Sequence, residues 1–213
     1  MLPEALFFTF AGHLEKKISM IRTLIFVACF LFSVNAFSQI MVSRKSDRHI
    51  NQRASGVMLQ HGFSFYDLPE GVAYRPILLA YYKRYPIFHT HRNINLALEI
   101  GPQAGIGFTD ELNLELGMLV YLSANVSITN WDMISFIAGA GPHFISVETG
   151  KQANGFIFSD NLFLTYRRKL ILNRSPYEVS IYGGFRHLSN AGIKQPNDGI
   201  DNIMVGLGFV KLI

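Results

Sequence analysis

Residues 112–122 read LNLELGMLVYL. Leu112, Leu114, Leu116, Met118, Val120 and Leu122 fall on every second position, with Asn113, Glu115 and Gly117 between them. In an extended chain a period of two sends the first set to one face and the second to the other. Helical spacing does not fit this pattern, so the segment is a strand. Upstream, NINLALEI (93–100) behaves the same way: Ile94, Leu96, Leu98 and Ile100 are apolar, and Asn93, Asn95 and Glu99 are polar.

The same alternation, interrupted by turn signals such as DLPEG, SITNWD, TGKQANG and QPNDG, marks out about eight strands: 54–67, 74–85, 92–106, 111–124, 132–147, 154–168, 176–190 and 200–213. Pro76 weakens the start of the second, because proline has no N–H to give to a ladder. Spacing is short and even, with no linker, repeat or change of composition, so residues 39–213 read as a single domain.

The 213-residue chain is 49% hydrophobic and only 16% charged, against about 25% charged residues in an ordinary soluble domain. A net charge of +4 without a basic run argues against a nucleic-acid partner. Residues 1–38 read as a signal peptide: Arg22 precedes an apolar run from Leu24 to Val34, and Ala36-Phe37-Ser38 supplies small residues at the cleavage positions. That run is shorter than the roughly 20 residues a spanning helix needs. The leader is complete from Met20 onward, so residues 1–19 read as an upstream extension. The single cysteine, Cys29, lies in the leader, which leaves the mature chain without thiol or disulfide chemistry.

A leader followed by about eight alternating strands fits a soluble sandwich or lipocalin-like barrel, or an outer-membrane barrel turned inside out. The polar face favours the membrane barrel. It mixes large charged residues with glycine: Glu99 beside Gly101, Glu115 beside Gly117, and Glu178 and Arg186 flanking Gly184. Large and small groups must interdigitate to fill an eight-stranded lumen. Aromatic residues such as Phe63, Phe65, Tyr81, Tyr82 and Tyr85 cluster near strand ends, as interfacial girdles do. The expected fold is therefore all-β, an eight-stranded antiparallel transmembrane barrel in the outer membrane.

Against this frame, FRHLSNAGIKQPNDGID (185–201) stands out. In the seventh strand Tyr177, Val179, Ile181, Gly183, Phe185, His187 and Ser189 share the lipid-facing parity, and in the eighth Asp201 heads the corresponding set. The two strands are neighbours joined by residues 191–199, so all three polar residues come to one height at the extracellular rim. A serine hydroxyl becomes a useful nucleophile when a base takes its proton, and imidazole suits that near neutral pH. A carboxylate on the other ring nitrogen fixes the tautomer. The plainer reading of H-x-S is a pair of polar residues in the aqueous rim; the matching parity of Asp201 weighs against it.

RHLSNAGIKQPNDGID (186–201) resembles the signature of the outer-membrane lipid A 3-O-deacylases of PagL type, also described as acyloxyacyl-hydrolase-like. The resemblance implies an ester hydrolase acting on lipid A in the outer leaflet. In it Ser189 is the nucleophile, His187 the general base and Asp201 the triad acid, where the best-known members carry glutamate. Asn190 and the backbone around Gly192 match the oxyanion segment, and Asn197 matches a loop brace. No metal or other cofactor is implied. His89 and His91 in FHTHRN read as a turn between two strands, and Lys83-Arg84 and Arg167-Arg168-Lys169 as interfacial cations. Two other readings share the architecture: a non-catalytic structural or adhesion barrel, and an acyltransferase or phospholipase. Acyl position, chain-length preference and oligomeric state are not legible in the sequence.

Overall fold

The computed structural model describes residues 52–64, 74–89, 94–109 and 111–213. It contains eight strands: β1 (Ala54–Ser64), β2 (Arg75–His89), β3 (Ile94–Phe108), β4 (Leu112–Ser127), β5 (Asp132–Ile145), β6 (Gly155–Leu172), β7 (Ser175–Ser189) and β8 (Ile200–Leu212). Each pairs antiparallel with its chain neighbour, and β1 with β8, closing the barrel. Closure leaves no open edge, the condition for a sheet to cross a bilayer. The expected signal peptide and the position of His91 lie outside the described residues.

Side-chain alternation is carried through as an inside-out barrel. On β4, Asn113 and Glu115 are buried in the lumen, while Leu112, Leu114 and Leu116 on the outer face are 57%, 52% and 59% exposed. The lumen is filled by ion pairs. Arg84 forks onto both oxygens of Glu178 at 2.9 and 2.8 Å, Arg167 meets Glu99 at 2.5 Å, and Arg186 meets Glu115 at 2.6 Å. The Tyr74 hydroxyl donates to the same Glu115. These charges are removed from water, and their mutual pairing and hydrogen bonds offset that desolvation. Gly117 shows why small residues sit among them: a Cβ there would lie 2.3 Å from the His143 ring.

Three local features differ from the sequence expectation. β2 continues to His89, past an irregularity of register between Pro86 and Phe88 that lets the proline sit in a strand; His89 thus ends a strand instead of forming the turn. β6 continues past 168 to Leu172, paired with β7 as far as the turn at Asn173 and Arg174, and Arg167 points into the lumen toward Glu99 instead of lying at the interface. Leu188, an apolar residue at a lumen-facing position of the seventh strand where the alternation calls for a polar one, packs with Tyr74, Ile145, Ile157 and Ile200 in an apolar layer beneath one end of the barrel.

The two ends are unlike. β6 and β7 are joined by Asn173 and Arg174, both at positive φ (49° and 63°), a two-residue turn of the twist hairpins favour. At the opposite end the β5–β6 and β7–β8 connections, 146–154 and 190–199, are long. Short periplasmic turns and long extracellular loops put the latter end outside the cell.

Candidate functional site

His187 lies two residues before the extracellular end of β7 and Asp201 is the second residue of β8. The register sets them directly opposite each other on the outer face. Asp201 Oδ1 is 2.6 Å from His187 Nδ1, and the two side chains are 34% and 30% exposed. With Nδ1 committed to the carboxylate, Nε2 is the ring nitrogen left for another partner. Ser189 is half-buried, two residues further on the same face, roughly 7 Å away at the α-carbons. Among the described residues Ser189 makes no hydrogen bond to His187; catalytic contacts of this kind commonly close only around a substrate.

Gly199 is part of this geometry. Its φ of +82° is costly for a residue with a side chain, and a Cβ there would sit 2.5 Å from His187 Cε1 and 3.1 Å from Nε2. Glycine therefore both turns the chain into β8 and leaves room for the imidazole.

The segment after Ser189 is braced from within. Asn190, almost fully buried, donates its backbone N–H to Asn197 Oδ1 at 2.7 Å and its Nδ2 to Lys194 O at 2.6 Å, and its Oδ1 accepts from Gly192 N–H at 3.0 Å. One amide hydrogen of Asn190 stays uncommitted, while the Gly192 N–H is spent inside the loop. Ala191 and Gly192 both have positive φ, 55° and 81°, which curls the chain away from the strand direction.

A second loop clamps the first. Gln152 forms a β-bridge with Asn197, Ala153 N–H donates to Pro196 O at 2.8 Å, and Asp198 N–H donates to Lys151 O at 2.8 Å. Lys194 Nζ reaches Asn154 Oδ1 at 2.6 Å. Sequence reasoning missed residues 151–154, which read only as a turn; their importance is a long-range pairing with no local signal.

From the lumen side, Arg186 secures the strand between its pairing with Glu115 and a 2.8 Å bond from Nε to Ser159 Oγ. On the outer face β6 places Asp160 opposite His187 and Phe158 opposite Ser189. His187 is thus flanked in register by two carboxylates, of which Asp201 is hydrogen-bonded to it. The sequence reading did not single out Asp160; its outward parity on the neighbouring strand was the available signal. Among the described residues no group of three or more His, Cys, Asp or Glu side chains could hold a metal ion.

Residues 79–210 match the family model for lipid A 3-O-deacylase (PagL). The barrel is also similar to a solved structure described as the crystal structure of the outer membrane enzyme PagL, with a TM-score of 0.53 and 18% sequence identity over 72% of this chain and 97% of that one. At that identity the likeness carries the fold alone. No curated protein matches the chain.

Proposed function

The chain belongs to the lipid A 3-O-deacylase (PagL) family of outer-membrane ester hydrolases, and from that premise we propose that Ser189, His187 and Asp201 form its catalytic triad. The observation that carries this reading is the 2.6 Å contact between His187 Nδ1 and Asp201 Oδ1 on the outer face, at the rim where Ser189 ends its strand.

In this mechanism Ser189 Oγ attacks the carbonyl carbon of an acyl ester while its proton passes to His187 Nε2. Asp201 holds the ring in the tautomer that leaves Nε2 basic, then stabilises the imidazolium. Collapse of the tetrahedral intermediate breaks the bond to the sugar oxygen, which takes the proton from His187 and leaves as an alcohol. A water molecule, deprotonated by the same imidazole, then attacks the acyl-enzyme; the acyl–Oγ bond breaks, Ser189 Oγ takes the proton back from His187, and a fatty acid is released. The uncommitted amide hydrogen of Asn190 is the donor proposed for the developing oxyanion, and removing such a donor typically costs about 100- to 1,000-fold in rate. Asn197, with Gly192, keeps Asn190 in place. The 3-O position as the bond cleaved, and residues 1–38 as a removable leader, belong to the same reading.

The test is mass spectrometry of lipid A from a Gram-negative host making the wild-type protein or Ser189→Ala at equal abundance, both shown to be folded in the outer membrane. Loss of one ester-linked acyl chain in the wild type only is expected. The same loss in both would remove Ser189 from the mechanism.

A further inference from the structure

At the end of the barrel opposite the catalytic site, the register of three strands builds a cationic cradle. Ser55 on β1 pairs with Lys83 on β2 on one side and with Lys211 on β8 on the other. All three share the outward parity, with both lysines exposed and the small serine half-buried between them. Adjacent strands lie about 4.8 Å apart, which puts the two lysine α-carbons about 10 Å from each other across the serine. Arg53, two residues before Ser55, is exposed and has the same parity, and its carbonyl accepts from Ile213 N–H at 2.7 Å.

Among the described residues no acid answers these cations. Among the described residues Arg53, Lys83 and Lys211 make no ion pair, and the acids at this height, Glu99 and Glu178, face the lumen and are committed to Arg167 and Arg84. The contrast is Arg168, at the same end on β6, whose Nη1 lies 3.3 Å from Asp132. The row immediately toward the membrane centre is apolar: Val57 pairs with Tyr81 and Phe209, the three are 44%, 45% and 43% exposed, and Tyr177 stacks on Phe209 with ring centroids 5.2 Å apart. Cations at the rim with apolar side chains directly above them have the order of groups along a phospholipid, phosphate first and acyl chain next. A free anion would have no use for the upper row.

We propose that Arg53, Ser55, Lys83 and Lys211 form a binding site for the phosphate of an anionic phospholipid in the periplasmic leaflet, with its acyl chains against Val57, Tyr81 and Phe209. The lysines and the arginine swing toward the interface, as long cationic side chains do near membrane boundaries, and Ser55 leaves space for a phosphate oxygen between them and a hydroxyl to bond it. The site holds lipid at a fixed place on the barrel wall, at the opposite end from His187 and Asp201.

The test is native mass spectrometry of the full chain, folded in neutral detergent and titrated in turn with dimyristoylphosphatidylglycerol, dimyristoylphosphatidylcholine and inorganic phosphate. The variants are Lys83→Gln, Lys211→Gln, the triple Arg53→Gln/Lys83→Gln/Lys211→Gln, and Arg168→Gln as a control cation that already has a partner. Retention of phosphatidylglycerol over phosphatidylcholine is expected, weakened roughly fivefold by each single variant and about a hundredfold by the triple, from the attraction each cation has for an anionic lipid surface. Arg168→Gln leaves it unchanged. Equal binding of both lipids, or an undiminished preference in the variants, overturns the proposal. Displacement of phosphatidylglycerol by inorganic phosphate also overturns it, in favour of a simple anion site. Folding is monitored by the heat-dependent gel mobility of the barrel, and the single variants carry the test if the triple does not fold.

Discussion

Asp201→Asn separates the charge of the proposed triad acid from its shape. Asparagine keeps an oxygen that can accept from His187 Nδ1, so the 2.6 Å contact can persist while the negative charge is lost. The charge matters when the ring becomes imidazolium. With charge centres about 4 Å apart and an effective dielectric of roughly 20 to 40, the attraction is about 2 to 4 kcal/mol. The side chains are 34% and 30% exposed, so solvent screening favours the lower end. About 2 kcal/mol corresponds to a loss of about 30-fold in turnover. That is far less than the roughly 10,000-fold seen when a fully buried triad aspartate is replaced this way. The assay is hydrolysis of lipid A in mixed micelles, quantified as released fatty acid, with barrel folding verified by gel mobility. A change under threefold would show that the carboxylate does not stabilise the imidazolium; a loss beyond 1,000-fold would show that the site is sealed from water when it works.

Three further outcomes follow from the geometry. Gly199→Ala should lower turnover at least tenfold, because the new Cβ would lie 2.5 Å from His187 Cε1; the positive φ should also reduce unfolding stability by about 1 kcal/mol, read from denaturant titration. Asn197→Ala removes the acceptor of the 2.7 Å bond from Asn190 N–H and should reduce kcat about tenfold with KM little changed. Asn197→Asp, which keeps an acceptor oxygen, should recover most of it, and failure to do so would mean the bridge to Gln152 holds the loop without that side chain. Arg186→Met leaves Glu115 in the lumen without its main partner and should lower unfolding free energy in urea by about 3 kcal/mol, against no change if water reaches the carboxylate freely.

Much of the barrel is legible because a period of two survives translation into structure. Leu112 through Leu122 alternate in the chain and alternate in space, and the polar face could be recognised as a lumen from the way glycines accompany its charges. Strand ends were less legible. Arg167 reads as a charge at a boundary until Glu99, far away in sequence, draws it inside. The His187–Asp201 pairing was readable from parity and from the requirement that strands joined by one loop end at the same height. The clamp from Lys151 to Asn154 was not, since each of its bonds joins two loops whose approach depends on closure of the whole barrel.

The filled lumen explains why an enzyme of this shape would work from its outer wall. Arg84, Glu99, Arg167 and Glu178 cross-link the interior at one level, Tyr82 and Tyr182 meet hydroxyl to hydroxyl at 2.9 Å, and Arg186 with Glu115 bars the level beneath the extracellular loops. No lipid could pass there without breaking buried ion pairs. The outer face presents the opposite condition: its apolar residues already lie among acyl chains, and a lipid reaches any point on it by lateral diffusion. Polar residues in that face would be expensive near the middle of the bilayer. His187, Ser189 and Asp201 instead occur where β7 ends and β8 begins, partly exposed at the rim, where an ester linking an acyl chain to a sugar headgroup would also lie. The same register that closes the barrel therefore determines both the height of the proposed triad and the direction from which its substrate arrives.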